Sequence, residues 1–153
     1  AEGVRLSVSS EAALEKEGAE LMMLRVPDGT GSASWQAISC EGFVPLWGTE
    51  LLGDPNYSVA SGGQQVQFAK SGFHLIMLQT AHTGDNAELL QLWHNREVVA
   101  AARVTTDGKN VNCSHLLEVI HAEVGDTVSA VCEAFTGDEP LLNNLSIVFL
   151  RGT

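Results

Sequence analysis

Apolar and polar residues alternate along most of this chain from about Ser32 onward, in short runs divided by clusters of Gly, Asp, Asn and Pro. A period of two with such punctuation predicts half-buried β-strands joined by turns. Trp35–Cys40 forms a first run, and Phe43–Trp47 a bent one in which Pro45 suits an edge strand. Gly48–Ser61, rich in Gly, Asp, Pro and Asn, reads as a long connection, after which Gln64–Phe68 alternates with Val66 and Phe68 inward. Phe73–Thr80, Glu88–Trp93, Val98–Val104, Ser114–Ala122, Thr127–Ala134 and Ser146–Arg151 follow. Leu116–Ile120 and Val128–Cys132, joined through Gly125-Asp126, read as a hairpin, because Gly and Asp tolerate tight-turn backbone angles. About eight to ten short strands result, as an all-β sandwich or jelly roll requires.

The run through Leu75 departs from simple alternation. Phe73, Leu75 and Met77 point to one face and His74, Ile76 and Leu78 to the other, so both faces are apolar. An antiparallel sandwich normally leaves one face of a sheet wet, so this strand predicts a second cover, most economically a neighbouring subunit. Ahead of the strands, Ser10–Leu24 is the one convincing helical stretch. Ser10 can cap it, Glu11 complements its dipole, and Pro27-Asp28-Gly29-Thr30-Gly31 ends it. Residues 1–31 are therefore expected to form a helical or disordered lead, and 32–153 a single domain.

At 153 residues and 44% hydrophobic content the chain can fill one sizeable core. Its net charge of −11 argues against nucleic acid and anionic membranes as partners, since both require a cationic surface. There is no apolar run long enough to span a bilayer and no visible signal peptide. Cys40, Cys113 and Cys132 match no zinc or thioredoxin spacing; one bridge with a leftover thiol and three free thiols both fit. His74, His82, His94, His115 and His121 lack metal-ligand spacing, so no metal and no cofactor is expected within one chain. No nucleophile elbow or phosphate-cradling glycine loop is present, and no catalytic residue is assigned. Asp85, Asp107, Asp126, Asp138 and Glu139 lie on turns, where they could also ligate calcium. Asn56, Asn112 and Asn144 each begin an Asn-x-Ser sequon, which tilts towards a secretory history.

Four segments together resemble one family. Gly72-Phe73-His74-Leu75-Ile76, entered from Val66-Gln67-Phe68, is the first; Leu92–Val99, with Asn95 at its turn, is the second. Leu116–Val119 running through Gly125–Val128 is the third, and Asn144–Leu150 the closing strand. In order and spacing, across Ser34 to Leu150, they are similar to the globular head of complement one-q and its relatives in the tumour necrosis factor superfamily. His74 stands where that family usually has an aromatic residue, and no Gly-X-Y stem precedes the head. The resemblance implies a ten-stranded jelly roll and a compact homotrimer, with Leu75, Met77 and Gln79 facing the threefold axis and His74, Ile76 and Leu78 inside the sandwich. It further implies a non-enzymatic head that binds another protein or drives oligomerisation, in an extracellular or secreted setting. Some relatives also bind calcium. A carbohydrate-binding sandwich, with Trp35, Trp47 or Trp93 stacking on sugar rings, is the alternative, and a cupin-like enzyme is a third.

Overall fold

The computed structural model describes residues 31–83, 87–105, 111–138 and 140–153, with the side chains at 87, 88, 104 and 105 outside that description. The helical stretch expected at Ser10–Leu24 lies outside the described residues. Ten strands follow in order: β1 Ser32–Glu41, β2 Val44–Leu52, β3 Tyr57–Ala60, β4 Gln65–Phe68, β5 Gly72–His82, β6 Ala87–His94, β7 Glu97–Thr105, β8 Asn112–Ala122, β9 Thr127–Cys132 and β10 Asn144–Arg151. They form two five-stranded antiparallel sheets, β2-β1-β10-β5-β8 and β3-β4-β9-β6-β7. Sequence neighbours repeatedly fall in different sheets, as in a jelly roll.

The core lies between the layers, where both sheets contribute alternate residues. Trp35, Trp47, Ile76, Leu78, Leu145 and Ile147 of the first sheet meet Val66, Phe68, Leu90, Leu92 and Val128 of the second. β5 behaves as its pattern predicts, with His74, Ile76 and Leu78 wholly buried between the sheets. β2 is an edge strand, consistent with Pro45, and its pairing with β1 shifts register repeatedly.

Two expectations are corrected. Gly48–Ser61 is not one long connection: β2 continues to Leu52, and β3 pairs Tyr57 with Phe68 and Ala60 with Gln65. Nor do β8 and β9 form a hairpin, for β8 pairs with β5 in the first sheet and β9 with β4 and β6 in the second. The Gly125-Asp126 turn therefore arches from one layer to the other. Its local chemistry is still that of a tight turn. Gly125 has φ +93°, and the Asp126 carboxylate accepts the Glu123 backbone N–H at 2.9 Å and a bond from His94 Nε2 at 2.9 Å. The second expected hairpin is present, with His94 opposite Glu97 and Asn95 at φ +55°.

Several buried polar groups are matched individually, whereas Trp47 Nε1 has no hydrogen-bond partner among the described residues. Asn143 Oδ1 accepts the Ala81 N–H at 2.6 Å while Nδ2 donates to the Thr136 carbonyl at 2.8 Å, which pins the start of β10 to the end of β5. His74 sits in an aromatic cage of Tyr57, Phe68 and Phe149, with Lys70 Nζ 3.8 Å from the Phe149 ring centre. The Lys70 carbonyl can only accept, so His74 Nε2 donates to it at 3.0 Å; Nδ1 of the neutral ring then accepts the Tyr57 hydroxyl at 2.8 Å. Burial is the main reason its pKa lies below the ordinary 6.5; the Lys70 carbonyl opposes this, and charges on Lys70 and His121 add to it. A proton on Nδ1 would remove the acceptor that Tyr57 uses. Between the depressed folded value and 6.5 the unfolded chain thus binds more protons, so this contribution to stability is complete above pH 6.5 and shrinks as pH falls below it. Urea midpoints measured across that range should fall with acidification, and the fall should flatten in His74→Gln. An equal slope in that variant would assign the acid sensitivity elsewhere.

Candidate interaction surface

The outer face of the first sheet is the candidate site, and strand register fixes its layout. Ser32, Val148, Leu75 and Val119 form one row across β1, β10, β5 and β8. Ser34, Ser146, Met77 and Leu117 form the next, and Gln36, Asn144, Gln79 and His115 the third. Beyond the first row, Phe73 and His121 stack edge to face at 4.9 Å, with the Arg151 guanidinium 4.8 Å from the Phe73 ring centre.

The face is graded in chemistry. The row through Gln79 is polar, with His115 Nε2 donating to Gln79 Oε1 at 2.8 Å and Asn144 Nδ2 to the Leu141 carbonyl at 2.6 Å. The middle is aliphatic towards β8 and small towards β1, where the Ser34 and Ser146 hydroxyls lie 3.0 Å apart. Exposure is graded as well. Met77 is only 6% exposed within a single chain, whereas Leu117 is 64% and Val119 49% exposed. Gln79 is buried too, and the 3-10 turn Pro140–Leu142 packs against β5 and β1 nearby. Of the three residues expected at the axis, all lie on this outer face, and the open aliphatic surface beside them belongs to β8.

Leu117 and Val119 were not among the residues expected here, although their strand carries the signal that singles out β5. Leu116-Leu117-Glu118-Val119-Ile120 places aliphatics on both faces. Leu116 and Ile120 pack inward and Leu117 and Val119 outward.

The sugar-stacking expectation is corrected for two of its tryptophans. Trp35 is 2% exposed and Trp47 fully buried, so neither offers a ring face to a ligand. A cleft of about 480 Å³ opens beside β2 and β3, and its accessible groups are those of Glu50, Ser58 and Val59 rather than the indoles beneath. Trp93 is half-buried on β6, its Nε1 donating to Gln91 Oε1 at 3.1 Å.

No disulfide joins the three cysteines: Cys40 is half-buried, Cys113 exposed and Cys132 buried, with its Sγ 3.4 Å from Thr80 Oγ1. Among the described residues, no group of three or more His, Cys, Asp or Glu is arranged to hold a metal ion. Of the calcium candidates, Asp85, Asp107 and Glu139 lie outside the described residues, and Asp126 is engaged by His94 and the Glu123 N–H. Among the described residues no helix is long and apolar enough to cross a membrane.

With that layout established, likeness to solved structures becomes informative. The crystal structure of murine APRIL at pH 5.0 superposes with a TM-score of 0.67 at 16% sequence identity, covering 79% of this chain and 99% of that one. APRIL is a tumour necrosis factor-family jelly-roll head. The chain has a tumour necrosis factor-like jelly-roll fold. No family model and no curated protein matches its sequence.

Proposed function

We propose that residues 32–153 form the head of a homotrimer that acts by binding another protein and carries out no catalysis, with residues 1–31 as its lead. The observation that carries this reading is the pair Leu117 and Val119, open to solvent on a face that continues into Leu75, Met77 and Val148. An exposed apolar patch on a sheet face marks an association surface, and here its open part lies on the edge strand β8. Because the aliphatics project from the β8 edge while Ser32, Ser34 and Ser146 form a flat small-residue strip at the other side, the two parts are complementary rather than identical. The β8 edge of one copy then packs across the strip of the next. Such head-to-tail contact closes into a ring when the rotation permits. The tumour necrosis factor-like fold supports three as the number, with Leu75, Met77 and Gln79 nearest the axis. Three copies concentrate the acidity of the chain, which favours a partner with a cationic surface and makes its capture sensitive to salt.

Sedimentation equilibrium at micromolar concentration tests the assembly. The expected mass is three times the 16.3 kDa of the chain. A single species at 16.3 kDa would overturn the reading.

A further inference from the structure

The three sequons of this chain stand in very different surroundings, and we infer that Asn56 is the one built to carry an N-linked glycan. Asn56 lies in the loop between β2 and β3. Its backbone N–H is held by Asp54 Oδ1 at 2.8 Å and its carbonyl accepts the Ala69 N–H at 2.8 Å. The main chain is therefore fixed, while the side-chain amide has no hydrogen-bond partner among the described residues. Two residues on, Ser58 is exposed on β3, the edge strand of the second sheet. β3 belongs to the layer opposite the one that carries the aliphatic face, and Asn56 is partly exposed beside it.

The other two sequons are used by the fold. Asn144 Nδ2 already donates to the Leu141 carbonyl, and the hydroxyl of its Ser146 lies against Ser34 Oγ in the middle of the first sheet. A sugar on that nitrogen would crowd the turn at Leu141 and stand over Gln79 and Gln36. At Asn112 the serine of the sequon, Ser114, is buried with its hydroxyl 2.8 Å from His82 Nε2. The Asn56 assignment stands on these single-chain contacts and is independent of the trimer.

The reaction is the transfer of an oligosaccharide from a lipid-linked pyrophosphate donor. Asn56 Nδ2 forms a bond to the anomeric carbon, the bond from that carbon to the phosphate oxygen breaks, and lipid pyrophosphate leaves. One amide proton is lost to the transferase, and no redox change occurs.

The test is to express the full chain behind a cleavable secretion leader in a eukaryotic host and map sites by glycosidase release in heavy-oxygen water with peptide mass spectrometry. Asn56 should carry the label. The glycosidase-sensitive band shift should be lost in Asn56→Gln and in Ser58→Ala, and retained in Ser58→Thr, Asn112→Gln and Asn144→Gln. Secreted protein without a glycan at Asn56, or occupancy at Asn144 equal to or above it, would overturn the assignment.

Discussion

Leu117→Glu is expected to leave the fold of each copy intact and to dissociate the proposed trimer. The side chain is 64% exposed in one chain, so the substitution should change the stability of an isolated copy by no more than about 0.5 kcal/mol. In the proposed assembly the same carboxylate would be buried against the strip of Ser32, Ser34 and Ser146 of the next copy, which carries no cationic side chain. An unpaired buried charge costs about 3–5 kcal/mol, which lowers the association constant by more than ~100-fold per contact. Met77→Glu would also break the assembly, but Met77 is 6% exposed in its own copy, so that variant reports fold damage together with dissociation. Val59→Glu is the matched control, because Val59 is 39% exposed on β3 of the other sheet. Light scattering after size exclusion should give monomer for Leu117→Glu and trimer for Val59→Glu. A Leu117→Glu protein that remains trimeric at low micromolar concentration would remove the β8 edge from the interface.

Which parts of this arrangement can be read from sequence follows from what a period of two encodes. Alternation sorts side chains between the faces of a strand, and β5 obeys it through His74, Ile76 and Leu78. It does not encode which strand lies alongside. Leu116–Ile120 and Val128–Cys132 have the marks of a hairpin, yet an inter-sheet arch needs the same Gly-Asp turn chemistry. β3 escapes for a different reason. Only four residues long, it follows Pro55-Asn56 and turns just Tyr57 fully inward, so composition favours a loop. The tryptophans show the same limit. Trp35 stands opposite Glu50 and Trp47 opposite Ala37 on the paired strands β1 and β2, and only assembly of both sheets decides that they are covered. The candidate surface was legible through Leu75 and Met77, because a strand apolar on both faces demands two covers. Its most open part, Leu117 and Val119, follows from the same rule applied to β8. His74 was legible only as buried, since its cage joins Tyr57, Phe68 and Phe149 from three other strands.

Gly72→Ala carries the second large effect, this time on stability. Gly72 opens β5 at φ +145°, a region that L-residues rarely occupy. A Cβ there would also meet the Arg151 carbonyl oxygen inside contact distance and lie 2.8 Å from a carbon of the Phe149 ring. The backbone oxygen cannot rotate away, so relief requires the end of β10 to separate from β5. That is where pairing already shifts register between Phe149 and Arg151. Separation would loosen Phe149 against His74 and Lys70, opening the cage from its β10 side. Strained φ and overpacking each cost about 1–3 kcal/mol, so the combined loss should be about 3–5 kcal/mol. Gly125→Ala separates the two contributions. It also has a positive φ, +93°, but nothing lies within 4 Å of its added methyl, so only the backbone strain of about 1–2 kcal/mol applies. Urea unfolding of both variants should therefore place Gly72→Ala well below Gly125→Ala at unchanged slope. Equal midpoints would mean that β10 yields freely at Arg151, and that the closing strand is not held to β5 at that end.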